Sequence, residues 1–197
     1  MQKEQELDFP DAEAEAELIA KAQGGDRHAY GELVRRHQRG VIRVVYRMCG
    51  DMELAQDAAQ DAFIRAWLKL PAFRPGSSLR SWLYRIAVNA ALDVLRRDAK
   101  TAGPDFETLP LPDPQAGPEA ALLQKERTAA VQDAILTLPE AGRSVLVLRE
   151  YGDLSYREIA AALDIPLGTV MSRLNYARRL LKGSLKAFAV SMEMEHV

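Results

Sequence analysis

The sequence predicts an all-α protein with two small helical domains joined by a flexible, proline-rich linker, the C-terminal domain containing a helix-turn-helix. Three observations support this prediction. Apolar residues recur at helical spacing through most of the 197 residues, and no alternating run with hairpin punctuation indicates a strand. The stretch 99–117 contains four prolines and few large apolar residues, which is typical of an extended linker. The expected boundaries are therefore 13–98, 99–117 and 118–187.

Four helices are expected in the first domain, and each has a capping or breaking residue beside it. They cover about 13–23, 26–49, 53–70 and 79–95. Glycine suits the left-handed position after a helix, serine and aspartate suit the position before one, and proline ends the third. These capping and breaking residues are Gly24, Gly25, Asp26, Gly50, Asp51, Pro71 and Ser78.

The C-terminal domain is expected to end in a helix-turn-helix. Two helices precede it, over 118–138 and in LPEAGRSVLVLREYGD. Ser155 can cap the next helix, and Glu158, three residues later, can complete a capping box. That helix is expected to stop at 164–166, because the residue before a proline is disfavoured in the α region. The helix that follows would be the one that enters the DNA major groove.

The polar side of this last helix has the composition of a DNA-reading surface. No Asp or Glu occurs between Asp164 and Glu193. Arginine can pair with guanine, asparagine with adenine, and serine or tyrosine can reach phosphate. The alternative is an ordinary solvated basic face, but the capped helix and tight turn before it favour DNA recognition. The residues off the apolar stripe are Met171, Ser172, Arg173, Asn175, Tyr176, Arg178 and Arg179.

Composition and charge limit the other possibilities. Apolar residues make up 48% and charged residues 27%, which is normal for a globular protein. The net charge of −2 does not indicate a nucleic-acid binder, but acids crowd the first 17 residues while bases gather in the later helices. Cys49 is the only cysteine, so no intramolecular disulfide can form, and a reducing cytoplasm suits the chain. No signal peptide or membrane-spanning run is recognisable, so we expect a soluble, cytoplasmic protein without membrane insertion.

No pattern of catalytic residues is present in the sequence. We find neither a nucleophile next to a base nor a glycine loop that would hold phosphates. We therefore expect no enzymatic activity, no catalytic residues, no metal and no cofactor.

The third helix has two different faces. Small and apolar residues form one side, and a mixed stripe of carboxylates, an amide and exposed apolar residues forms another. Such a stripe resembles a docking surface for a partner helix, although on spacing alone it could equally serve solubility. Its residues, at offsets 0, 3, 4, 7 and 11, are Asp57, Gln60, Asp61, Ile64 and Leu68.

The loop and fourth helix, FRPGSSLRSWLYRIAVNAALDVLRR, mix arginines with aromatic residues. This mixture suits single-stranded nucleic acid, whose bases stack on rings while its phosphates pair with cations. The alternative is that Phe73, Trp82 and Tyr84 are core residues or loop anchors. For Trp82, Leu83 and Ile86 a core position is at least as well supported.

The order of these motifs resembles the extracytoplasmic-function sigma factors of bacterial RNA polymerase. The order is DAAQDAFIRAWLKL, the loop and fourth helix, a proline-rich linker, and LPEAGRSVLVLREYGDLSYREIAAALDIPLGTVMSRLNYARRLL. The resemblance covers roughly residues 13–186. It implies an N-terminal domain that binds the clamp helices of core RNA polymerase and melts the minus-ten element of promoter DNA. It also implies a C-terminal domain that reads the minus-thirty-five element and a linker that runs toward the RNA exit path.

The same resemblance assigns roles to individual residues. Met171 departs from the pattern, because many members have a basic residue there, so one phosphate contact is lost or base preference changes. The polymerase-binding residues implied are Asp57, Gln60, Asp61 and Ile64. Those implied for the minus-ten strand are Phe73, Arg74, Ser77, Ser78, Leu79, Arg80, Trp82 and Asn89. Those implied for the minus-thirty-five duplex are Thr169, Ser172, Arg173, Tyr176, Arg178 and Arg179.

The implied mechanism is non-enzymatic: promoter choice comes from differential binding, and strand opening from trapping unstacked bases. An anti-sigma partner, as is common in the family, is also expected. Two alternatives are a helix-turn-helix regulator that acts without polymerase and a sigma-like decoy that only sequesters an anti-sigma factor. In a decoy the basic loop and recognition helix should be eroded, whereas both are intact here.

Overall fold

A computed structural model describes residues 10–74, 78–98 and 118–195. Within these ranges the chain forms eight α-helices and a short 3-10 helix, without a strand. The all-α prediction is confirmed, and the expected linker 99–117 lies outside the described residues. The helices are α1 (Pro10–Gln23), α2 (Arg27–Cys49), α3 (Met52–Lys69), α4 (Leu79–Asp98), α5 (Pro118–Leu136), α6 (Glu140–Glu150), α7 (Tyr156–Leu163) and α8 (Leu167–Glu195), and the 3-10 helix spans Leu70–Ala72.

The expected capping residues begin and end the helices of the first half. The Asp26 carboxylate accepts hydrogen bonds from the backbone amides of His28 and Ala29 at the start of α2. Gly50 follows that helix in the left-handed region, with φ of 83°. Asp51, expected only as a break, also caps α3, because its carboxylate accepts from the Leu54 amide at 2.8 Å.

The helix-turn-helix forms as its sequence predicts. The hydroxyl of Ser155 accepts from the Glu158 amide, and the Glu158 carboxylate accepts from the Ser155 amide, which completes the capping box. Asp164 then takes a left-handed conformation, with φ of 53°, and ends α7. Helix α8 continues to Glu195, so the glycine at position 183 does not interrupt it.

The first half packs around α3, whose buried side consists of small residues. These alanines allow the backbones of α2 and α4 to approach closely, and both helices contact α3. Larger buried side chains from α2 and α4 fill the space between them. The alanines are Ala55, Ala58, Ala59, Ala62 and Ala66.

The two halves of the chain also pack against each other. Helix α2 contacts α5 and α6, and α4 contacts α6 and α7. The buried amide of Gln132 accepts from the Arg47 guanidinium at 2.8 Å and donates to the Tyr46 carbonyl at 3.3 Å. The Tyr84 ring lies against Gly152. Buried apolar residues from both halves therefore belong to one continuous core.

Candidate functional site

The mixed stripe of α3 is exposed to solvent, as its spacing predicts. Asp57 and Gln60 are exposed, and Asp61 is half-buried. Ile64 is 54% exposed and Leu68 73% exposed, although both are large apolar side chains. Most of this face is therefore left exposed by the described part of the chain and is accessible to another molecule.

Asp61 is held in place by an arginine that joins two helices. Arg65 pairs with Asp61 one turn earlier on α3 and with Asp93 on α4, both at 2.7 Å. The hydrogen bonds that Arg65 donates to Asp93 and Asp61 raise the pKa of Arg65. The bridge fixes the carboxylate of Asp61 beside Ile64.

An apolar groove of about 580 Å³ runs beside this stripe, between α2 and α3. The hydroxyl of Tyr30 donates to the Phe63 carbonyl and so joins the groove walls, while burial raises the pKa of Tyr30 to about 12. The Tyr30 and Trp67 ring centroids are 4.8 Å apart. Ile64 belongs both to the groove wall and to the exposed stripe, so the two surfaces are continuous.

A second cavity, of about 330 Å³, lies where α3 meets α4. Trp82 and Asn89, two of the residues predicted to contact the minus-ten strand, line it together with Arg65, Lys69 and Arg85. Its lining combines an aromatic ring, an amide and three cations, the chemistry expected of a pocket for an unstacked base and its phosphate.

Not all residues predicted for the minus-ten strand are accessible. Phe73 is buried at 8% exposure and packs against Trp82 with ring centroids 5.0 Å apart, and Leu79 is also buried. The Gln23 amide donates to the carbonyl of Phe73 at 2.7 Å and fixes the base of the loop to α1. Arg74 is exposed, and Ser77 lies outside the described residues.

Ser78 and Arg80 face the other half of the chain. Ser78 caps α4, because its hydroxyl oxygen accepts from the Ser81 amide at 3.2 Å. The same hydroxyl lies 3.2 Å from the Glu158 carboxylate at the start of α7, and the Arg80 guanidinium lies 3.4 Å from the Asp153 carbonyl. Ser78 therefore contacts the first helix of the helix-turn-helix, and Arg80 contacts the turn that precedes it.

Helix α8, the predicted recognition helix, packs through Val170, Leu174 and Ala177, which are buried. Its other sides carry the residues predicted to face DNA. Thr169 and Arg173 are half-buried, and the hydroxyl of Ser172 donates to the Thr169 carbonyl at 3.0 Å.

The remaining cations of α8 differ in their pairing. Arg178 forms an ion pair with Glu150 of α6 at 2.7 Å, with both side chains 45% exposed. The Arg179 guanidinium lies over the Tyr176 ring, 5.4 Å from its centroid. Arg173 has no ion-pair partner among the residues that the structure describes. In the structure Arg178 is therefore ion-paired and Arg179 is stacked on a ring, whereas Arg173 forms no ion pair with a described residue.

Two residues of the α3–α4 cavity, Arg65 and Lys69, were not anticipated. They belong to the end of α3, whereas the aromatic and amide residues belong to α4. The sequence signal that could have found part of the cavity is the spacing of Trp82, Arg85 and Asn89, which places them on one face of α4.

No metal site or membrane span is found in the described part of the chain. No three or more His, Cys, Asp or Glu side chains there are grouped to hold a metal ion. None of the described helices has both the length and the apolar character needed to cross a bilayer.

Comparison with known proteins decides the family. The model for sigma-70 region 2 matches residues 33–101, and a model for sigma-70 region 4 matches residues 128–181. RNA polymerase sigma-H factor of Pseudomonas aeruginosa is 38% identical over 184 residues, which cover 88% of this chain and 95% of that protein. The ECF RNA polymerase sigma factor SigW of Bacillus subtilis is 34% identical over 85% of this chain and 95% of its own length. The chain belongs to the extracytoplasmic-function family of sigma-70 factors.

Solved structures support the same fold for this sigma factor. The structure of CnrH in complex with the cytosolic domain of CnrY superimposes with a TM-score of 0.67 and 29% identity, covering 88% of this chain and 98% of CnrH. The sigma factor RpoE of Bartonella quintana, solved in complex with the anti-sigma factor NepR, gives a TM-score of 0.62 at 23% identity, covers 80% of this chain and 96% of RpoE, and supports the fold alone. As a sigma factor, the chain directs promoter-specific transcription initiation with core RNA polymerase.

Proposed function

We propose that the α3 stripe of this sigma factor binds core RNA polymerase, that the α3–α4 cavity traps a minus-ten base, and that α8 reads the minus-thirty-five duplex. One observation supports this assignment above the others. Among the residues whose exposure the structure describes, the large apolar side chains that are exposed lie on α3 or α8. Exposed apolar groups on a soluble protein mark contact surfaces, and here they mark two. They are Ile64, Leu68, Leu167, Met171 and Tyr176.

The proposed polymerase contact combines charge with apolar burial. Ile64 supplies the apolar centre, and Asp57, Gln60 and Asp61 supply acceptors that would pair with cations or donors on the clamp helices. Since Arg65 already orients the carboxylate of Asp61, little side-chain entropy is lost when a partner binds.

In the proposed minus-ten site some residues contact the DNA strand and others hold the loop that carries them. Trp82, Asn89 and Arg74 would contact the unstacked strand, whereas the buried Phe73 and Leu79 hold the loop in position. Extruding a base costs a few kcal/mol of lost stacking, which the Trp82 ring and the cations Lys69 and Arg85 of the cavity would offset. Ser77, Ser78 and Arg80 complete the proposed strand-binding set.

The proposed minus-thirty-five site lies on α8. Arg173 and Ser172 would reach base edges or phosphates, with Thr169 beside them in the first turn of the helix. The stacked pair of Tyr176 and Arg179 would contact the DNA backbone. Arg178 would join this set when its exposed pair with Glu150 exchanges for phosphate.

No step in this mechanism requires a catalytic group in the chain. Polymerase gains promoter preference because the assembled complex binds some sequences better than others, and the strands open because the unstacked bases are trapped. The proposed units are 13–98 for polymerase and minus-ten binding and 118–187 for minus-thirty-five binding. We place this activity in the cytoplasm, where the polymerase and the chromosome are.

An anti-sigma factor is the proposed regulatory partner, and the α2–α3 groove is its proposed binding site. The groove is apolar along most of its length and is continuous with Ile64 of the α3 stripe, the proposed polymerase contact. A helix that occupied it would therefore block access of the polymerase to α3. The similar protein CnrH was solved in complex with the cytosolic domain of CnrY.

Run-off transcription with purified core polymerase tests the proposal directly. Core enzyme alone, core with this chain, and core with the Asp61→Arg variant are given a library of bacterial promoter fragments, and the transcripts are sequenced. We expect defined start sites only with the wild-type chain. If the chain bound promoter duplex without polymerase in a gel-shift assay and gave no run-off product, the independent-regulator alternative would replace this proposal.

A further inference from the structure

We infer that Met171, flanked by Leu167 one turn earlier, reads the methyl group of a thymine in the minus-thirty-five duplex. The inference rests on the proposed function of α8 and adds a base-specific residue to it. It starts from two large apolar side chains that α8 exposes at its N-terminal end, Leu167 at 42% and Met171 at 48%.

Neither side chain belongs to the buried core. The core of α8 is made by Val170, Leu174 and Ala177, which are 0–1% exposed. Met171 lies one position beyond Val170 and therefore on a different side of the helix. About half of the Met171 side chain is left in solvent, and this part of its apolar surface is available to a ligand.

The surroundings of the two residues identify DNA as that ligand. The sequence has no carboxylate side chain between Asp164 and Glu193, whereas Arg173, Arg178 and Arg179 lie within about two turns of Met171. Such a helix is attracted to phosphates and not to an apolar protein groove. In a helix-turn-helix the N-terminal residues of the second helix are those that approach the base edges.

The chemistry of the major groove then selects the base. Thymine is the base that presents a methyl group there, and an apolar side chain discriminates it by contact, without a hydrogen bond. Leu167, Met171 and Asn175 are spaced at four-residue intervals, so they are neighbours along one side of α8. Asparagine can pair with adenine through two hydrogen bonds, so an A·T-containing step suits this side of the helix.

The test removes the methyl group and nothing else. Promoters selected by the assembled polymerase are resynthesised with each thymine of the minus-thirty-five element replaced, one at a time, by deoxyuridine. Binding is measured by fluorescence anisotropy with holoenzyme that contains wild-type chain or Met171→Ala. At one or two positions the wild type should lose affinity by about 4-fold, the factor that corresponds to burial of one methyl-sized group.

The Met171→Ala variant completes a double-mutant cycle between the side chain at position 171 and the thymine methyl group. Met171→Ala should bind the thymine promoter about 4-fold more weakly than the wild type and should lose no more than about 1.5-fold on deoxyuridine substitution at the same position. Met171→Arg should raise affinity for all promoters, steepen the logarithmic salt dependence by about 1, and also lose the preference for thymine. These two variants distinguish methyl recognition from a general effect of the substitution.

Three results would overturn the inference alone. The first is that the selected minus-thirty-five elements contain no thymine. The second is that deoxyuridine substitution does not change the affinity of wild-type holoenzyme, and the third is that it changes the affinity of wild-type and Met171→Ala holoenzyme equally. Holoenzyme that selects no promoter at all would instead overturn the proposed function, and this inference with it.

Discussion

The guanidinium of Arg143, at the start of α6, donates to the carbonyl of Met48, at the end of α2, over 2.9 Å and 95 residues of sequence. The same group also donates to the carbonyls of Leu136 and Leu138. Helix ends leave carbonyls without intrahelical donors, and here one arginine satisfies carbonyls beside the ends of α2 and α5. Burial lowers the pKa of this guanidinium, as expected for a cation partly removed from water.

Replacing Arg143 with alanine should destabilise the described fold by about 2–4 kcal/mol, because three partly buried carbonyls lose their donor. Arg143→Lys should lose less, since an ammonium can still reach one of them. Urea denaturation followed by circular dichroism measures both changes. Equal midpoints for wild type and Arg143→Ala would contradict a structural role for this contact.

Gly50→Ala should destabilise the protein by about 2–3 kcal/mol, because the residue has φ of 83° and its new methyl group would collide with Leu136. Gly183→Ala is the matched control, since that glycine lies inside α8 with open space around it. The control should be stabilised by about 0.5–1 kcal/mol through helix propensity. Thermal denaturation of the two variants should therefore shift in opposite directions.

Acid should weaken the contact between α1 and α2 through Glu15. Its carboxylate lies 3.1 Å from Nε2 of His37, and that hydrogen bond holds the pKa of Glu15 below 4.5. At Glu15 the unfolded chain therefore binds a proton more readily than the folded chain does. The stabilisation of the folded state by the Glu15 carboxylate is complete above pH 4.5 and is lost as the pH falls through the lowered pKa. Between about pH 6 and pH 3 the denaturation midpoint of Glu15→Gln should fall less than that of the wild type. Glu126→Gln, at an exposed position of α5, should follow the wild type.

Asp61→Arg should abolish assembly with core polymerase and leave the fold intact. The substitution reverses the charge of the proposed docking stripe and places a second cation beside Arg65, a repulsion of only about 0.2–0.5 kcal/mol on a helix surface. Co-purification with tagged core enzyme measures assembly, and circular dichroism checks the fold. Glu126→Arg, on a different face, should assemble normally. Normal recovery of the Asp61 variant would exclude α3 as the docking surface.

Arg173→Ala should weaken promoter binding by the assembled polymerase by about 1–3 kcal/mol, the usual value for a base-reading arginine. Arg178→Ala should weaken binding less, because the guanidinium must first give up its pair with Glu150. Filter binding at two salt concentrations separates the two effects, since a phosphate contact also changes the salt dependence. If the two variants lost affinity equally at both concentrations, the ion pair with Glu150 would not limit Arg178.

Local signals in the sequence account for much of this fold. Asp26 and the pair Ser155 and Glu158 were recognisable as caps because a cap depends on residues two or three positions away. The faces of α3 were recognisable because helical periodicity separates the alanines from Ile64 and Leu68.

Contacts between distant segments were not recognisable in this way. Nothing next to Phe73 indicates that Trp82 and the Gln23 amide bury it, and an arginine next to a loop looks the same whether it reaches DNA or, like Arg80, another part of the chain. The bridge from Arg65 to Asp93 likewise joins residues on separate helices. Such contacts depend on how the helices assemble, which periodicity does not encode.

The contact between Ser78 and Glu158 bears on how far apart the two halves of the chain must lie when both promoter elements are bound. The two side chains are 3.2 Å apart. The promoter elements proposed for the α3–α4 cavity and for α8 are separated by about 25 base pairs, or roughly 85 Å of duplex at 3.4 Å per step. To reach both elements at once, the two halves of the chain must therefore move apart by many times the length of this contact. The surfaces now joined by Arg143 and Gln132 must then be exposed to solvent or contact the polymerase.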